Sequence, residues 1–176
     1  MKILGLDISS STVGWAIIEK QNSDIKIINY GHIKTSKTRK LNLFERFSLL
    51  KKDLDKIVLE NKPDMIAAED ILFAFTKGRS TASTIVILAS FNRVSLSHIY
   101  DHFNIPIKLY APISIRSRVG KLCKTKMPDK DEIPEYIIKF LGSFTYKYNK
   151  NKNIAVQSYD EADAIAVAWV AATDIK

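Results

Sequence analysis

The sequence predicts a single mixed α/β domain over residues 1–176, built on a five-stranded sheet whose first three strands are antiparallel and whose two faces carry helices. Three observations predict it. Short apolar runs separated by turn residues open the chain, and longer stretches with apolar residues every three or four positions follow. Two later apolar runs, at 65–68 and 105–110, stand between those helical stretches. At 176 residues, 46% hydrophobic and 26% charged, the chain has the size and composition of one folded unit with a continuous core. It shows no internal repeat and no linker long enough to divide it.

The opening, MKILGLDISSSTVGWAIIEK, organises the rest. Ile3 to Leu6 is an apolar run that meets Asp7; Ser9 to Thr12 form a hydroxyl-rich turn; Val13 to Ile18 resume the apolar pattern as a second strand. Ile25, Ile27 and Tyr30 alternate with Lys26 and Asn29, a third strand, and Lys34 to Lys40 is a basic loop. Phe44, Phe47, Leu50, Leu54, Ile57 and Val58 define the buried face of an amphipathic helix that ends before Pro63. Met65 to Ala68 reads as a buried parallel strand running into Glu69 and Asp70. In the loop from Ile71 to Ser80, Phe73 and Phe75 flank Lys77 and Arg79, a composition suited to stacking on bases and neutralising phosphates, and equally to rings folded into the core.

Thr81 to Phe103 is a long helix whose apolar positions spread too widely for one stripe, so a second covered face, such as a dimer contact, is expected. His98 and His102 stand four apart on it, but with only His32 elsewhere they read as structural rather than metal-binding. Ile105 to Tyr110 is a strand with Pro106 at its edge. Arg116, Arg118, Lys121, Lys124 and Lys126 then form the densest positive region of the chain, for which a phosphate backbone is the expected partner. A helix entered near Pro134 ends at Gly142, and Phe144 to Asn153 is a loop rich in aromatics and lysine. Ser158 and Glu161 read as a capping box opening the last helix, on which Asp160 and Asp163 share a face.

Charge and composition narrow the function. Against 19 acidic residues stand 27 basic ones, a net +8 that favours a polyanionic partner. A lone cysteine, Cys123, rules out an internal disulfide and speaks against cysteine-ligated zinc. No apolar run approaches the roughly 18 residues that span a bilayer and no signal peptide opens the chain, so the expected setting is a reducing cytoplasm without a membrane partner. Taken alone, Asp7 could be a turn residue. Yet Glu69 also ends a core strand, and Asp163 sits among alanines in a sequence that looks buried, which is costly unless a cation is near. Carboxylates from several elements, without a His and Cys cluster, point to Mg²⁺ or Mn²⁺. Two such ions about 4 Å apart clamp a phosphodiester undergoing in-line displacement.

The strand-acid-turn-strand opening, AAED at Ala67 to Asp70 and YDEADAIA at Tyr159 to Ala166 together resemble RuvC-type Holliday-junction resolvases of the RNase H-like superfamily. The resemblance covers nearly the whole chain in the expected order, and GLDISSSTVGWAII is also similar to the first RuvC motif of Cas9-type nucleases. It implies an RNase H-like fold, with metal ligation and catalysis by Asp7, Glu69, Asp160 and Asp163. Lys130 is implied as the basic residue near the active site, with Lys126 as its rival. Phe73 is matched to the aromatic that wedges into the junction, and Ile8-Ser9 stand where the family has Pro-Gly. It implies Mg²⁺-dependent hydrolysis of branched DNA by two ions per site, with Mn²⁺ as substitute, leaving 5′-phosphate and 3′-hydroxyl ends. It also implies a homodimer, since symmetric cutting of a four-way junction needs two sites about a two-fold axis. Two alternatives stay open: a module that binds branched DNA without cutting it, and an ATP-binding protein of the actin and sugar-kinase type.

Overall fold

β-Branched and aliphatic residues crowd the first strands and leave little choice but a sheet buried on both sides. In the computed structural model, which describes residues 1–35, 40–71 and 81–175, β1 (Lys2–Ile8), β2 (Thr12–Gln21) and β3 (Asp24–Lys34) form an antiparallel meander. α1 (Leu43–Asn61) crosses back to β4 (Met65–Glu69), which pairs parallel with β1, and α2 (Ala82–Phe103) crosses to β5 (Ile107–Tyr110), parallel with β4. The sheet order is therefore β3-β2-β1-β4-β5. α3 (Pro112–Leu122), α4 (Ile133–Phe140) and α5 (Val156–Asp174) complete the chain. The five-stranded mixed sheet with an antiparallel start matches the expectation from sequence.

Alternation along the strands divides the core in two. Leu4, Leu6, Ile8, Val13, Ile17, Ile66 and Ala68 face the layer of α1 and α2, meeting Phe47, Leu50, Leu54, Phe91 and Ile99. On the other face Ile3, Ala16, Ile18 and Ala67 meet α5, which α3 and α4 cover in turn. Every residue of α5 from Glu161 to Ala172 is buried. Its alanines suit that position because a helix covered all round needs small side chains to lie close to its neighbours.

The sequence expectation differs from the fold in three places. β3 runs on to Lys34, the residue expected to begin the basic loop. Phe44 lies in the first turn of α1 and is 77% exposed, its ring edge-on to Phe47 rather than in the core. The helix cap there is Asn42, whose side chain accepts from the Glu45 amide while Glu45 accepts from the Asn42 amide. Finally, α5 begins at Val156 with Ala155 at the cap, so Ser158 and Glu161 are inside the helix and the expected capping box does not form.

Candidate active site

Asp7 and Glu69 meet because their strands do. β1 and β4 are parallel neighbours with Leu6 opposite Ala68, which places the next residues, Asp7 and Glu69, at one level of the sheet. Leu6 and Ala68 face α1 and α2, so the alternation turns Asp7 and Glu69 to the α5 side. α5 descends to that level over two glycines. A Cβ on Gly5 would stand 2.1 Å from the Ala164 carbonyl oxygen, and one on Gly14, the residue paired with Asp7, 2.1 Å from the Asp160 carbonyl oxygen. Only glycine admits the helix backbone so close to the sheet, and that approach carries Asp160 and Asp163 to the strand ends.

The turn after Asp7 needs no glycine. Ser9 Oγ accepts from the Thr12 amide at 3.0 Å and donates to the Thr12 carbonyl at 2.7 Å, closing it with side-chain bonds. Arg46, stacked 4.8 Å over the Phe91 ring, and Thr35 both donate to the Ser10 carbonyl. At the other strand, Asn92 on α2 donates to the Glu69 carbonyl at 3.1 Å, and Asp70 pairs with Arg93 at 2.8 Å instead of joining the acids.

The electrostatics of the four acids are those of negative charges held together away from water. Burial first, then the charges of Glu69, Asp163 and Asp160, push the Asp7 carboxyl well above its usual range against the opposing charge of Lys130. Burial, with Asp163 adding, raises Glu69 to about 7. Asp163 and Asp160 are raised too, chiefly by burial, and Lys130 is the main cation opposing the rise in each. Lys130 Nζ lies 3.2 Å from Asp163 Oδ2, and that carboxylate in turn raises the lysine. Lys126 is exposed and makes no such contact among the described residues.

Glu69, Arg116, Lys130 and Asp163 line a cleft of about 140 Å³ with Pro112, Ile115, Ile133 and Ala166 as its apolar wall. A larger cleft of about 490 Å³ lies between β3 and α1, but its Asp53 and Glu60 are interspersed with Lys34 and Lys56, and none of the four clustered acids lines it. Among the described residues, no three His, Cys, Asp or Glu groups stand preassembled as a chelate. Four carboxylates opposed by only Lys130 and Arg116 in the cleft still repel each other, and an all-oxygen donor set of this charge suits a hard divalent cation.

The remaining candidates divide. Arg116, expected on a DNA-facing surface, lies in the cleft, where its charge opposes the rise of Glu69 and Asp163. Arg118, expected to contact DNA, instead pairs its guanidinium with Asp174 in a bidentate contact that Lys108 and Tyr110 Oη join. Lys121, Lys124 and Lys126 are exposed on and after α3. Phe73, Lys77 and Arg79 lie outside the described residues. His98 donates or accepts at 2.6 Å with Asp55, and the His102 ring bonds the His98 carbonyl, so both serve helix packing. Sequence reasoning missed Glu161, which is fully buried, with Oε1 2.6 Å from His32 Nδ1 and 2.5 Å from Lys147 Nζ. An acid directly before the alanine-rich run that opens at Ala162 was the available signal, hidden by the S-x-x-E pattern.

With this geometry in view, comparison with known proteins is decisive. Residues 3–171 match the family described as crossover junction endodeoxyribonuclease RuvC. The chain belongs to the RuvC family. It is 28% identical to RuvC of Rickettsia bellii over 169 residues, covering 96% of this chain and 95% of that one, and 26% identical to RuvC of Rickettsia africae over the same span. Among solved structures, Thermus thermophilus RuvC in complex with a Holliday junction substrate superposes with a TM-score of 0.71 at 15% identity, covering 97% of this chain and 92% of the other. The yeast mitochondrial resolvase Ydc2 gives 0.66 at 15% identity, covering 98% and 80%. These likenesses extend the RuvC fold across the whole five-stranded sheet. No helix among the described residues is long and apolar enough to cross a membrane.

Proposed function

We propose that this chain is a structure-selective endonuclease that resolves Holliday junctions by metal-dependent hydrolysis of a phosphodiester, with Asp7, Glu69, Asp160 and Asp163 as the metal ligands. The observation that carries the reading is the convergence of carboxylates from β1, β4 and α5 at one end of the sheet, with Lys130 3.2 Å from Asp163. Folding holds these charges together at a cost, and a function must repay it. The donor set fits Mg²⁺, two ions per site, with Mn²⁺ as substitute. When bound, the ions would activate the attacking water and stabilise the leaving 3′ oxygen. The chain's own groups do the rest. Asp7 and Asp163, buried on facing elements, fix the position of the cation charge against the sheet. Lys130 and Arg116 present positive charge to the scissile phosphate from the cleft wall, and Ile115 and Ile133 limit the water that reaches it.

Homodimerisation is supported by the start of α2, in which no residue from Ala82 to Ser90 is buried and Val86 is 62% and Ile87 37% exposed, whereas from Phe91 onward the helix packs into the core. Two such sites about a dyad would cut both strands symmetrically, leaving 5′-phosphate and 3′-hydroxyl ends. The test is incubation of the protein with a labelled four-way junction, with and without Mg²⁺, beside flap, fork and linear duplex. Paired symmetric nicks in the junction alone, only with the metal, are expected. Binding without cleavage would reduce the protein to a branched-DNA-binding module.

A further inference from the structure

Between Glu135 and Asp160 the chain carries Lys139, Lys147, Lys150 and Lys152 and no acidic residue. Its middle is an ordered hairpin, bridged between Tyr148 and Ile154, in which the Asn149 amide donates to the Asn153 carbonyl at 2.8 Å and the Ala155 amide to the Lys147 carbonyl at 2.7 Å. The tip organises itself. Asn149 Oδ1 accepts from the amides of Asn151 and Asn153, and Lys152 takes a left-handed conformation at φ 61°.

The stem is anchored on both sides. Ser158 Oγ of α5 accepts from the Lys147 amide at 2.9 Å, and Lys147 Nζ reaches buried Glu161. Tyr30 on the edge strand β3 packs 5.2 Å from the Phe144 ring and accepts from the Thr145 amide at 3.2 Å. Residues 147–153 are nevertheless all exposed, and Tyr148 keeps 63% of its surface in water. Ordering an exposed loop costs about 1–2 kcal/mol per residue in backbone entropy, and the tip buries nothing that would offset it. An ordered, exclusively cationic projection with a largely exposed aromatic ring, anchored on Ser158 and Glu161 to either side of Asp160, is thus complementary to a phosphate backbone with bases or sugars to pack on.

We infer that the hairpin of residues 147–154 is a second DNA-binding element, in which Lys150 and Lys152 contact phosphates of the junction arm leaving the active site and Tyr148 packs against that strand. The inference rests on the junction-resolving reading above and adds a contact surface separate from α3. Its test uses the full chain and a fluorescent four-way junction in Ca²⁺, with Lys150→Glu/Lys152→Glu compared with the charge-matched control Lys56→Glu/Lys62→Glu. Lys62 caps α1 three residues before β4, whose first residue pairs with Ile3 at the end of the sheet away from Asp7, and Lys56 is exposed on α1. The hairpin variant is expected to weaken binding about tenfold or more relative to the control near 100 mM salt, and to lower the slope of log Kd against log salt by about 2. Tyr148→Ala should weaken binding roughly fivefold, with Tyr148→Phe close to the original protein. All these positions are exposed, so each variant should remain folded at the temperature of the binding assay, which a thermal melt of each checks. Equal affinities of hairpin and control variants would overturn the inference, as would a Tyr148→Ala variant that binds as before. If the unaltered protein cleaves and binds junctions while these variants match their controls, the hairpin role falls alone. If the unaltered protein neither binds nor cleaves them, the underlying reading falls first.

Discussion

Two aspartates on the same helix show how differently one fold treats negative charge. Near the C-terminus of α5, Asp174 collects Arg118 in a bidentate pair, Lys108 at 2.6 Å and Tyr110 Oη at 2.8 Å, so its charge is fully compensated by the protein. About three turns earlier, Asp163 has one ammonium, Lys130, and faces Asp7 and Glu69 across the sheet end. The first arrangement clamps α5 to β5 and α3. The second is overcharged, and stays so because α5 is packed close onto the sheet, Asp160 over Gly14 and Ala164 over Gly5. Compensated acids hold the fold, whereas the uncompensated ones are the proposed ligands of a cation. Glu161, with His32 and Lys147 on one oxygen, belongs to the first class although it lies two residues from Asp163.

Asp7→Asn breaks this contrast most severely, because it keeps the shape and removes a clustered charge that faces the other three acids. Cleavage of a four-way junction in saturating Mg²⁺ should fall on the order of a thousandfold, the loss typical of removing one preorganised electrostatic group. Junction affinity measured in Ca²⁺ should change less than about threefold. Cleavage at the original rate would remove Asp7 from the chemistry altogether.

The next effect is on stability, and its sign follows from Glu69. Its carboxyl ionises near 4.5 when solvated and near 7 in the folded protein. Below pH 4.5 both states are protonated and the site costs nothing. Between the two values the unfolded chain loses its proton first, so rising pH favours unfolding, and above 7 the penalty is complete, at most about 3 kcal/mol. Metal-free protein should therefore lose stability to urea from pH 5 to 8. Glu69→Gln should flatten that part of the slope, and Mg²⁺ should restore stability at pH 8 but little at pH 5. A slope that Glu69→Gln leaves untouched would assign the acid sensitivity elsewhere.

How legible this was in the sequence follows the range of the interactions. Strands and helices announce themselves by local periodicity, which is why β1, β2, α1, β4 and α2 stand where Ile3–Leu6, Val13–Ile18, Phe44–Val58, Met65–Ala68 and Thr81–Phe103 put them. The acids were visible as carboxylates at strand ends. What brings them together was not, because it depends on Gly5 and Gly14 meeting α5 more than 140 positions away in the chain. The same holds for the charges that misled. Arg118 and Arg116 are indistinguishable in a basic stretch, yet their different positions on α3 send one to Asp174 and the other to the cleft. Ser158-x-x-Glu161 has the residues of a cap, but the helix starts earlier and both side chains turn inward to Lys147 and His32.

The compensated acid supplies the mildest prediction and the sharpest control. Asp174→Ala leaves Arg118 and Lys108 without their carboxylate, but at 33% and 49% exposure both cations can turn to water. The loss should thus fall below the cost of stranding a fully buried charge, at about 1–2 kcal/mol in a urea melt. Because the pair sits at the far end of α5 from Asp163, junction cleavage well below the melting temperature should stay within about twofold of the original. Asp174→Asn should recover part of the stability through its hydrogen bonds to Tyr110 and Arg118. If Asp174→Ala instead cut cleavage as deeply as Asp7→Asn while the protein stayed folded, the two ends of α5 would be one functional unit, and the division between structural and catalytic charge would be wrong.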